Sequence, residues 1–395
     1  MNETSKLMLQ LGRVMKKDRI RFWDTENFNV RLGKRLGKLD ASLFFRTQGC
    51  RHDRSGGCTM CDYSAGPTTS VPEMIDYVRQ GLDSLPSGMD SVLVSPSGSF
   101  LDTWEVPLDA RNGILALLSQ NQYPVIAFET RAETITEESI ADCRSRIPEQ
   151  MMRVYCGLES ADPWVSQFSI NKALEPDAFV FAMKTLAKYN MAGVANVLLG
   201  APFLSEVELI EDAVQSIQWA LAVGAKEFCL FPCHVKRWTQ LEWLYGHGHY
   251  HPPSLWSFIE VLHRLGSQVV SLQGEIAWFT NYGAFNILAS PTTCSVCYAQ
   301  IIEQLHGFAN SSDYTFIDRV YAIDCKCKED WQEKLQTHMS NSREERAAMA
   351  YDQIGHVLYS DAWPMMRENV LTTISLAQKN TIHAKKSIFY AGEIR

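Results

Sequence analysis

The sequence predicts an α/β protein built around a partial (β/α)6 barrel of the TIM type, followed by a C-terminal α+β extension that is rich in cysteine and binds metal. Two observations favour this fold. Between residues 41 and 235, short β-branched or aromatic runs alternate with longer segments of helical period, as in parallel sheets with crossover helices. Beyond that region, four cysteines recur with the spacing of a metal site.

Six strands are predicted, and polar or glycine-containing loops follow them. The strands cover residues 42–46, 91–95, 125–129, 152–157, 193–199 and 227–232. Five helices are predicted between them, over residues 71–85, 108–120, 137–144, 176–190 and 206–223. The last helix has a clear start, because Ser205 and Glu208 have the spacing of a capping box. Functional residues are expected after the strands, since the carboxyl ends of parallel strands carry the chemistry of such barrels.

Composition and pattern divide the chain into three predicted parts: a basic N-terminal extension at 1–40, the barrel at 41–270 and a C-terminal domain at 271–395. Residues 1–40 hold ten Lys or Arg against five Asp or Glu, whereas the whole chain has a net charge of −8. This extension is therefore a candidate for contact with RNA phosphates, and a solvated helix is the alternative. The charged run at 343–346 is interpreted as a solvated helix face.

Composition also bounds the class of protein. The hydrophobic fraction of 46% and the charged fraction of 21% are those of a globular chain. No window approaches the roughly 18 consecutive apolar residues of a membrane helix, and the N terminus lacks the apolar core of a signal peptide. A soluble, cytoplasmic protein without a membrane partner is predicted. Its eleven cysteines are then better explained by metal binding than by disulfides.

The first cysteine group consists of Cys50, Cys58 and Cys61, which follow the first predicted strand with the spacing C-x7-C-x2-C. Three thiolates leave one metal position open, unlike a closed four-ligand site. An open iron of a [4Fe–4S] cluster suits S-adenosylmethionine, whose amino and carboxylate groups can chelate it. This interpretation is favoured over a zinc ribbon with a remote fourth ligand.

The segment around these cysteines resembles the cluster loop of radical S-adenosylmethionine enzymes. It is most similar to the branch that holds the elongator catalytic subunit and the archaeosine synthase radical subunit. By its motifs the sequence resembles the archaeosine synthase subunit more than the elongator subunit. The resemblance spans about residues 20–330. Further motifs of that branch occur in the same order: SGSFLD at 97–102, EVP at 105–107, ETR at 129–131, GLES at 157–160, INK at 170–172, PFLSE at 202–206 and YHPPSLWS at 250–257.

The resemblance implies that a reduced cluster cleaves S-adenosylmethionine to a 5′-deoxyadenosyl radical, which abstracts hydrogen from the substrate. It places Tyr63 against the adenine and Gly98 and Ser99 at the methionine amino group. Arg131 and Glu159 become the partners of the methionine carboxylate and the ribose hydroxyls, roles that suit a guanidinium and a carboxylate. Asn196 on the fifth predicted strand and Cys229 or Cys233 on the sixth are candidates to face the substrate.

The substrate stays open at this point. The resemblance implies a tRNA that carries a lysine-modified 7-deazaguanine, carbon–nitrogen cleavage that leaves an amidine, and a partner enzyme that supplies the modified substrate. It also implies an electron donor such as flavodoxin or ferredoxin. The alternatives are the same radical chemistry on a small-molecule biosynthetic substrate and a non-catalytic zinc protein that binds RNA or a protein partner.

The second cysteine group comprises Cys294, Cys297, Cys325 and Cys327. Its two pairs, C-x2-C and C-x-C, are separated by 27 residues, an arrangement typical of a closed site with four thiolate ligands. Zinc and an auxiliary iron–sulfur cluster are both compatible with this pattern.

Overall fold

The computed structural model describes residues 2–19, 26–63, 68–96, 98–172, 174–281, 283–337 and 341–390, the last fourteen as backbone alone. Ser97 of the SGSFLD motif lies outside the described residues. The strands are β1 Phe28–Arg35, β2 Lys38–Phe45, β3 Ser91–Ser95, β4 Val125–Thr130, β5 Met151–Glu159, β6 Ala192–Leu199, β7 Glu227–Pro232, β8 Val235–Lys236, β9 Glu275–Ile276 and β10 Ile287–Ala289.

Eight of these strands form one sheet with the order β1-β2-β3-β4-β5-β6-β7-β9. Strands β2 to β7 and β9 run parallel, and β1 pairs with β2 in the antiparallel sense. The predicted partial barrel is confirmed, with its six strands as β2 to β7. The two edge strands were not predicted, because β1 lies in the basic N-terminal extension and β9 has only two residues.

The helices of the described chain are α1 Glu3–Met15, α2 Arg51–Arg54, α3 Val71–Asp83, α4 Leu108–Asn121, α5 Glu137–Arg146, α6 Pro176–Lys188, α7 Glu206–Ala222, α8 Gln240–Gly246, α9 Leu255–Leu265, α10 Gln268–Ser271, α11 Tyr298–Ser311, α12 Thr315–Tyr321, α13 Lys326–Gln336, α14 Arg343–Tyr359 and α15 Trp363–Tyr390. Helices α3 to α7 are the five predicted ones. The predicted capping box of Ser205 and Glu208 starts α7 and satisfies backbone N–H groups that the first turn leaves unpaired.

The barrel sheet and helices α3 to α7, α9, α11 and α12 enclose the main apolar core, which contains buried side chains such as Leu43, Phe128 and Phe258. A second core joins α1, α8, α14 and α15 and includes Leu7 and Tyr351. Both ends of the chain therefore pack against the barrel. Among the helices in the described part of the chain, none is long and apolar enough to cross a bilayer, including the 28-residue α15.

The charged run at 343–346 was predicted to be a solvated helix face, and this prediction is wrong. The run packs against other elements of the protein. Arg343 pairs with Asp162 and lies over the ring of Trp164. Glu344 is buried, and Arg346 pairs with Glu208 on α7. A pattern of alternating charges looks the same whether the side chains face solvent or bind a distant part of the chain. Here the partners of Arg343 and Arg346 lie more than 130 residues away in sequence.

Buried ion pairs bridge the two edges of the barrel sheet. Arg35 at the end of β1 binds the carboxylates of Glu227 on β7 and Glu275 on β9. Arg153 on β5 binds both carboxylates too and donates to Tyr155 Oη at 2.9 Å. Burial by itself would lower the pKa of Arg153, but Tyr155 and the two carboxylates raise it. We call this gap between β1 and β9 the seam, because side chains rather than strand pairing close it.

Candidate active site

The loop after β2 carries the first cysteine group and folds back on itself. Cys50 begins α2, and its N–H donates to Tyr63 O at 2.9 Å, which closes the loop across its base. Cys61 N donates to Cys58 O at 3.2 Å in a tight turn. Gly56 has a φ of +131°, and a Cβ there would lie 2.3 Å from Leu9 O on α1. Only glycine fits this position, so α1 and the cysteine loop depend on each other.

Charged side chains of the N-terminal extension bind to the same cysteine loop. The carboxylate of Asp53, which lies between the cysteines and is 1% exposed, pairs with Lys16 and with Arg19, the latter at 2.8 Å. Lys16 also donates to Gly56 O at 2.6 Å. Two of the ten cations in residues 1–40 are thus bound to an internal carboxylate rather than presented to solvent.

A cavity of about 1270 Å³ occupies the interior of the barrel, and Cys50, Cys58 and Cys61 line one part of it. Burial raises the pKa of the Cys50 and Cys58 thiols to about 11. Metal ligands must be thiolates, so iron has to displace these protons when it binds. A shared cavity and a common loop are what a three-cysteine cluster site requires.

Four of the five residues predicted to bind S-adenosylmethionine line this cavity: Tyr63, Gly98, Arg131 and Glu159. The fifth, Ser99, is fully buried; its N–H donates to Glu105 Oε2 at 2.6 Å, and its hydroxyl lies 2.6 Å from Thr130 Oγ1. The fold thus assembles the predicted residues around one space, although their ligand contacts stay a prediction.

Arg131 is already engaged in a charge network next to the first cysteine. Its guanidinium pairs with Glu105 and, at 2.5 Å, with Asp102, and it lies 3.6 Å from Cys50 Sγ. Arg51 also binds Asp102. A methionine carboxylate would therefore share Arg131 with two acidic side chains. The position of Arg131 at the end of a predicted strand did not indicate this constraint.

Two buried acceptors beside the cavity have no hydrogen-bond partner among the described residues. Glu159 has a φ of +65°; its Oε1 accepts from Lys172 at 3.0 Å, while its buried Oε2 has no hydrogen-bond partner. Asn196 Oδ1, on the neighbouring strand β6, is also buried without a partner. Both side chains line the cavity. Buried acceptors are costly when unpaired, so these two atoms have hydrogen-bonding capacity that the described residues do not satisfy.

The side of the cavity near Tyr63 contains residues that the sequence predicted only in part. Burial raises the pKa of Tyr63, and Lys236 Nζ lies 5.9 Å from the centre of its ring. Asp62, which the sequence did not single out, accepts from Lys236 at 2.7 Å and from Asn286 at 2.9 Å. Although burial opposes it, Lys236 lowers the pKa of Asp62. This network ties the cysteine loop to the segment after β7.

The second cysteine group converges in space. Sulfur–sulfur distances are 3.6 Å for Cys294–Cys297 and Cys325–Cys327, and 3.4 Å for Cys294–Cys325 and Cys297–Cys327. All four atoms lie within 4.8 Å of one another. A tetrahedral ion bound at about 2.3 Å separates its sulfurs by about 3.8 Å. The group therefore has the size of a site for a single metal ion. Trp256, in the YHPPSLWS motif, donates to Cys327 Sγ at 3.2 Å.

Comparisons with known proteins identify close archaeal relatives. The archaeosine synthase subunit beta of Methanosarcina acetivorans is 31% identical over 302 residues, which cover 75% of this chain and 84% of the relative. That of Thermococcus kodakarensis is 28% identical and covers 79% and 95%. No protein-family model matches the chain.

The solved structures that resemble this protein are less similar to it in sequence than these relatives. The Elp3 protein of Methanocaldococcus infernus is 15% identical with a TM-score of 0.45, over 65% of this chain and 60% of that one. Methylornithine synthase is 10% identical with a TM-score of 0.44, over 84% and 91%.

A parallel half-barrel whose first loop brings three cysteines to the central cavity defines a radical S-adenosylmethionine enzyme. The chain belongs to the archaeosine synthase subunit beta family. The expectation that it is an enzyme of this class, and not a zinc protein without activity, is confirmed by this membership.

Proposed function

We propose that the chain acts on tRNA that carries a lysine-modified 7-deazaguanine, cleaves a carbon–nitrogen bond of the lysine and leaves an amidine on the base. The observation that carries this proposal is the 31% identity to an archaeosine synthase subunit beta over three quarters of the chain. This relative is named as a subunit of its enzyme. The name supports the presence of a partner enzyme, which would install the lysine. An acidic electron carrier of the flavodoxin or ferredoxin type would supply electrons.

In this proposal, Cys50, Cys58 and Cys61 hold a [4Fe–4S] cluster. When bound, the cluster and S-adenosylmethionine supply a radical that abstracts a hydrogen atom from the substrate. Lys172, which donates to Gly157 O at 2.7 Å and to Glu159 Oε1, fixes the Glu159 carboxylate beside the cavity. Glu159 then accepts from the ribose hydroxyls.

The proposal is tested with full-length protein reconstituted anaerobically with iron and sulfide, then supplied with reductant, S-adenosylmethionine and tRNA bearing the lysine-modified base. We expect 5′-deoxyadenosine and an equal amount of amidine-containing tRNA. If 5′-deoxyadenosine forms while this tRNA stays unchanged, the tRNA substrate is wrong and a small-molecule substrate is favoured. If no 5′-deoxyadenosine forms from protein that contains only zinc, the radical reaction itself is contradicted.

Replacing Glu159 by glutamine tests its role in cofactor binding. We expect the KM for S-adenosylmethionine to rise about tenfold, because a hydrogen bond to a charged acceptor contributes about 1.5–3 kcal/mol and the amide retains only part of it. Glu133→Gln is the matched control, since Glu133 lines the same cavity with no assigned ligand contact. An unchanged KM in Glu159→Gln, measured by 5′-deoxyadenosine formation, would remove Glu159 from the site.

We further propose that the second cysteine group binds zinc. Its sulfur separations of 3.4–3.6 Å support one ion, because a four-iron cluster inserts several metal atoms between its thiolates and holds them farther apart. Trp331 donates to Ser257 Oγ at 2.8 Å, which links helix α13 beside the site to α9 of the barrel. A structural ion would therefore fasten the C-terminal extension to the barrel.

A further inference from the structure

A short antiparallel ribbon, formed by β8 and β10, follows the carboxyl end of β7. Where its two strands end, the N–H of Arg237 donates to Asn286 O at 2.7 Å. The next residues on either side, Trp238 and Phe285, have ring centroids 6.2 Å apart and planes tilted by 54°. This separation and tilt are those of a favourable aromatic contact. We call Trp238 and Phe285 the ribbon pair.

Phe285 lies at the opening of the central cavity. It lines the same cavity as the three cysteines of the first group, yet it is 55% exposed. A residue with both properties lies where the cavity meets solvent. The cavity volume of about 1270 Å³ exceeds the usual range of about 300–1,000 Å³ for a small-molecule site. There is therefore room for a second flat group beside the cofactor.

The ribbon pair lies at the end of the barrel that carries the cysteine loop. Asn286, which directly follows Phe285, donates through its side chain to Asp62 Oδ2 at 2.9 Å. Asp62 in turn directly follows Cys61 of the first cysteine group. One residue and one hydrogen bond thus connect Phe285 to the neighbour of a proposed cluster ligand. A group that rests on Phe285 is close to the reaction site.

The backbone of Trp238 has a conformation that is unusual for a bulky residue. Its φ is +61°, in the left-handed region that glycine adopts most easily. The N–H of Trp238 donates to Glu242 Oε2 at 2.5 Å, which holds this conformation in place. Outliers of this kind occur preferentially at functional sites. The local backbone would favour glycine, so we attribute the indole to its contact with Phe285.

The cations beside the ribbon pair differ in their surroundings. Lys236 lies in the cavity wall and binds Asp62 at 2.7 Å, so its charge is balanced there. Arg237, between Lys236 and Trp238 in sequence, is exposed. An exposed aromatic ring next to an exposed arginine is a combination that single-stranded RNA sites use, because bases stack on the ring and phosphates bind the cation.

We propose that Phe285 stacks against a nucleobase of the RNA substrate as that base enters the cavity. This inference rests on the proposed function and assigns it a contact for the substrate base. Trp238 supports the Phe285 ring, and Arg237 contacts a neighbouring phosphate. Stacking on a ring orients a flat base without hydrogen bonds to its edge, so Phe285 would position the base for the radical reaction.

The adenine of S-adenosylmethionine is the competing occupant of this ring. We expect the adenine beside Tyr63, where Lys236 Nζ lies 5.9 Å from the ring centre and pairs with Asp62. The cofactor must reach the cysteines inside the cavity, whereas the substrate must pass the opening at which Phe285 lies. The exposure of Phe285 therefore favours a base of the substrate over the adenine of the cofactor.

The test compares Phe285→Leu, which keeps apolar bulk but loses the aromatic face, with Phe285→Tyr, which keeps the face. Phe181→Leu is the matched control, since Phe181 lies on α6 and is 51% exposed. The reconstituted full chain is assayed for kcat/KM with tRNA bearing the lysine-modified base at saturating S-adenosylmethionine. We expect Phe285→Leu to lower kcat/KM about tenfold, and the other two variants to stay within about twofold of the wild type.

Iron content and melting temperature check the folding of each variant, and Phe285→Met replaces Phe285→Leu if the latter fails to fold. Equal kcat/KM in Phe285→Leu and Phe181→Leu would overturn the stacking contact while leaving the tRNA substrate intact. A raised KM for S-adenosylmethionine with unchanged kcat/KM for tRNA would assign the ring to the adenine instead. If the wild-type chain forms 5′-deoxyadenosine but leaves the tRNA unchanged, the proposed function is wrong and the nucleobase contact fails with it.

Discussion

Cys58→Ala is expected to reduce 5′-deoxyadenosine formation to the background level and to remove the iron of the first site. Cys58 is one of only three thiolates that this loop offers, and a [4Fe–4S] cluster that must keep one iron open for substrate has no spare protein ligand. Its loss should leave only two protein ligands on this loop. The measurement is iron content per chain after anaerobic reconstitution, together with 5′-deoxyadenosine formed with excess reductant.

Cys156→Ala is the matched control for this variant. Cys156 lies on β5 with a fully buried side chain in the main core, where it acts as a small apolar residue. It should retain iron and activity close to the wild type. Substantial cleavage of S-adenosylmethionine by Cys58→Ala would contradict the assignment of the first cysteine group. Equal loss in Cys156→Ala would show that general destabilisation, not loss of a ligand, is responsible.

Replacing Cys294 and Cys325 together by alanine is expected to abolish zinc binding and to lower the melting temperature by about 5–10 °C. These two sulfurs lie 3.4 Å apart, so the double variant removes half of the ligands of one ion. Structural zinc contributes folding free energy directly, and each kcal/mol lost shifts the melting temperature by about 2–4 °C in a domain of 150–250 residues. Zinc and iron are counted per chain before thermal unfolding is recorded.

The same metal count decides between the two possible occupants of the second site. One zinc with about four irons in the wild type, and loss of the zinc alone in the double variant, would agree with the proposal. About eight irons in the wild type, half of them lost in the double variant, would replace zinc with an auxiliary cluster. The Cys156→Ala variant should keep the wild-type metal content in either case.

The sequence by itself determined the architecture of the barrel. Its six parallel strands and five helices follow from local periodicity and from capping patterns such as Ser205 with Glu208, and these signals act within a few residues. The cysteine spacings likewise indicated two groups with three and four ligands. Family motifs then pointed to Tyr63, Gly98, Arg131 and Glu159, which the fold brings to one cavity.

Only the tertiary structure decided which charges and acceptors are available for function. Lys16 and Arg35 belong to the basic N-terminal extension, yet Lys16 binds Asp53, and Arg35 binds Glu227 and Glu275. Arg131 is shared with nearby carboxylates, whereas Glu159 Oε2 is left without a partner. Such pairings join residues far apart in sequence, and no local pattern encodes them. The low dielectric of the interior makes an unpaired buried charge costly, so these pairings depend on which side chains the fold brings together.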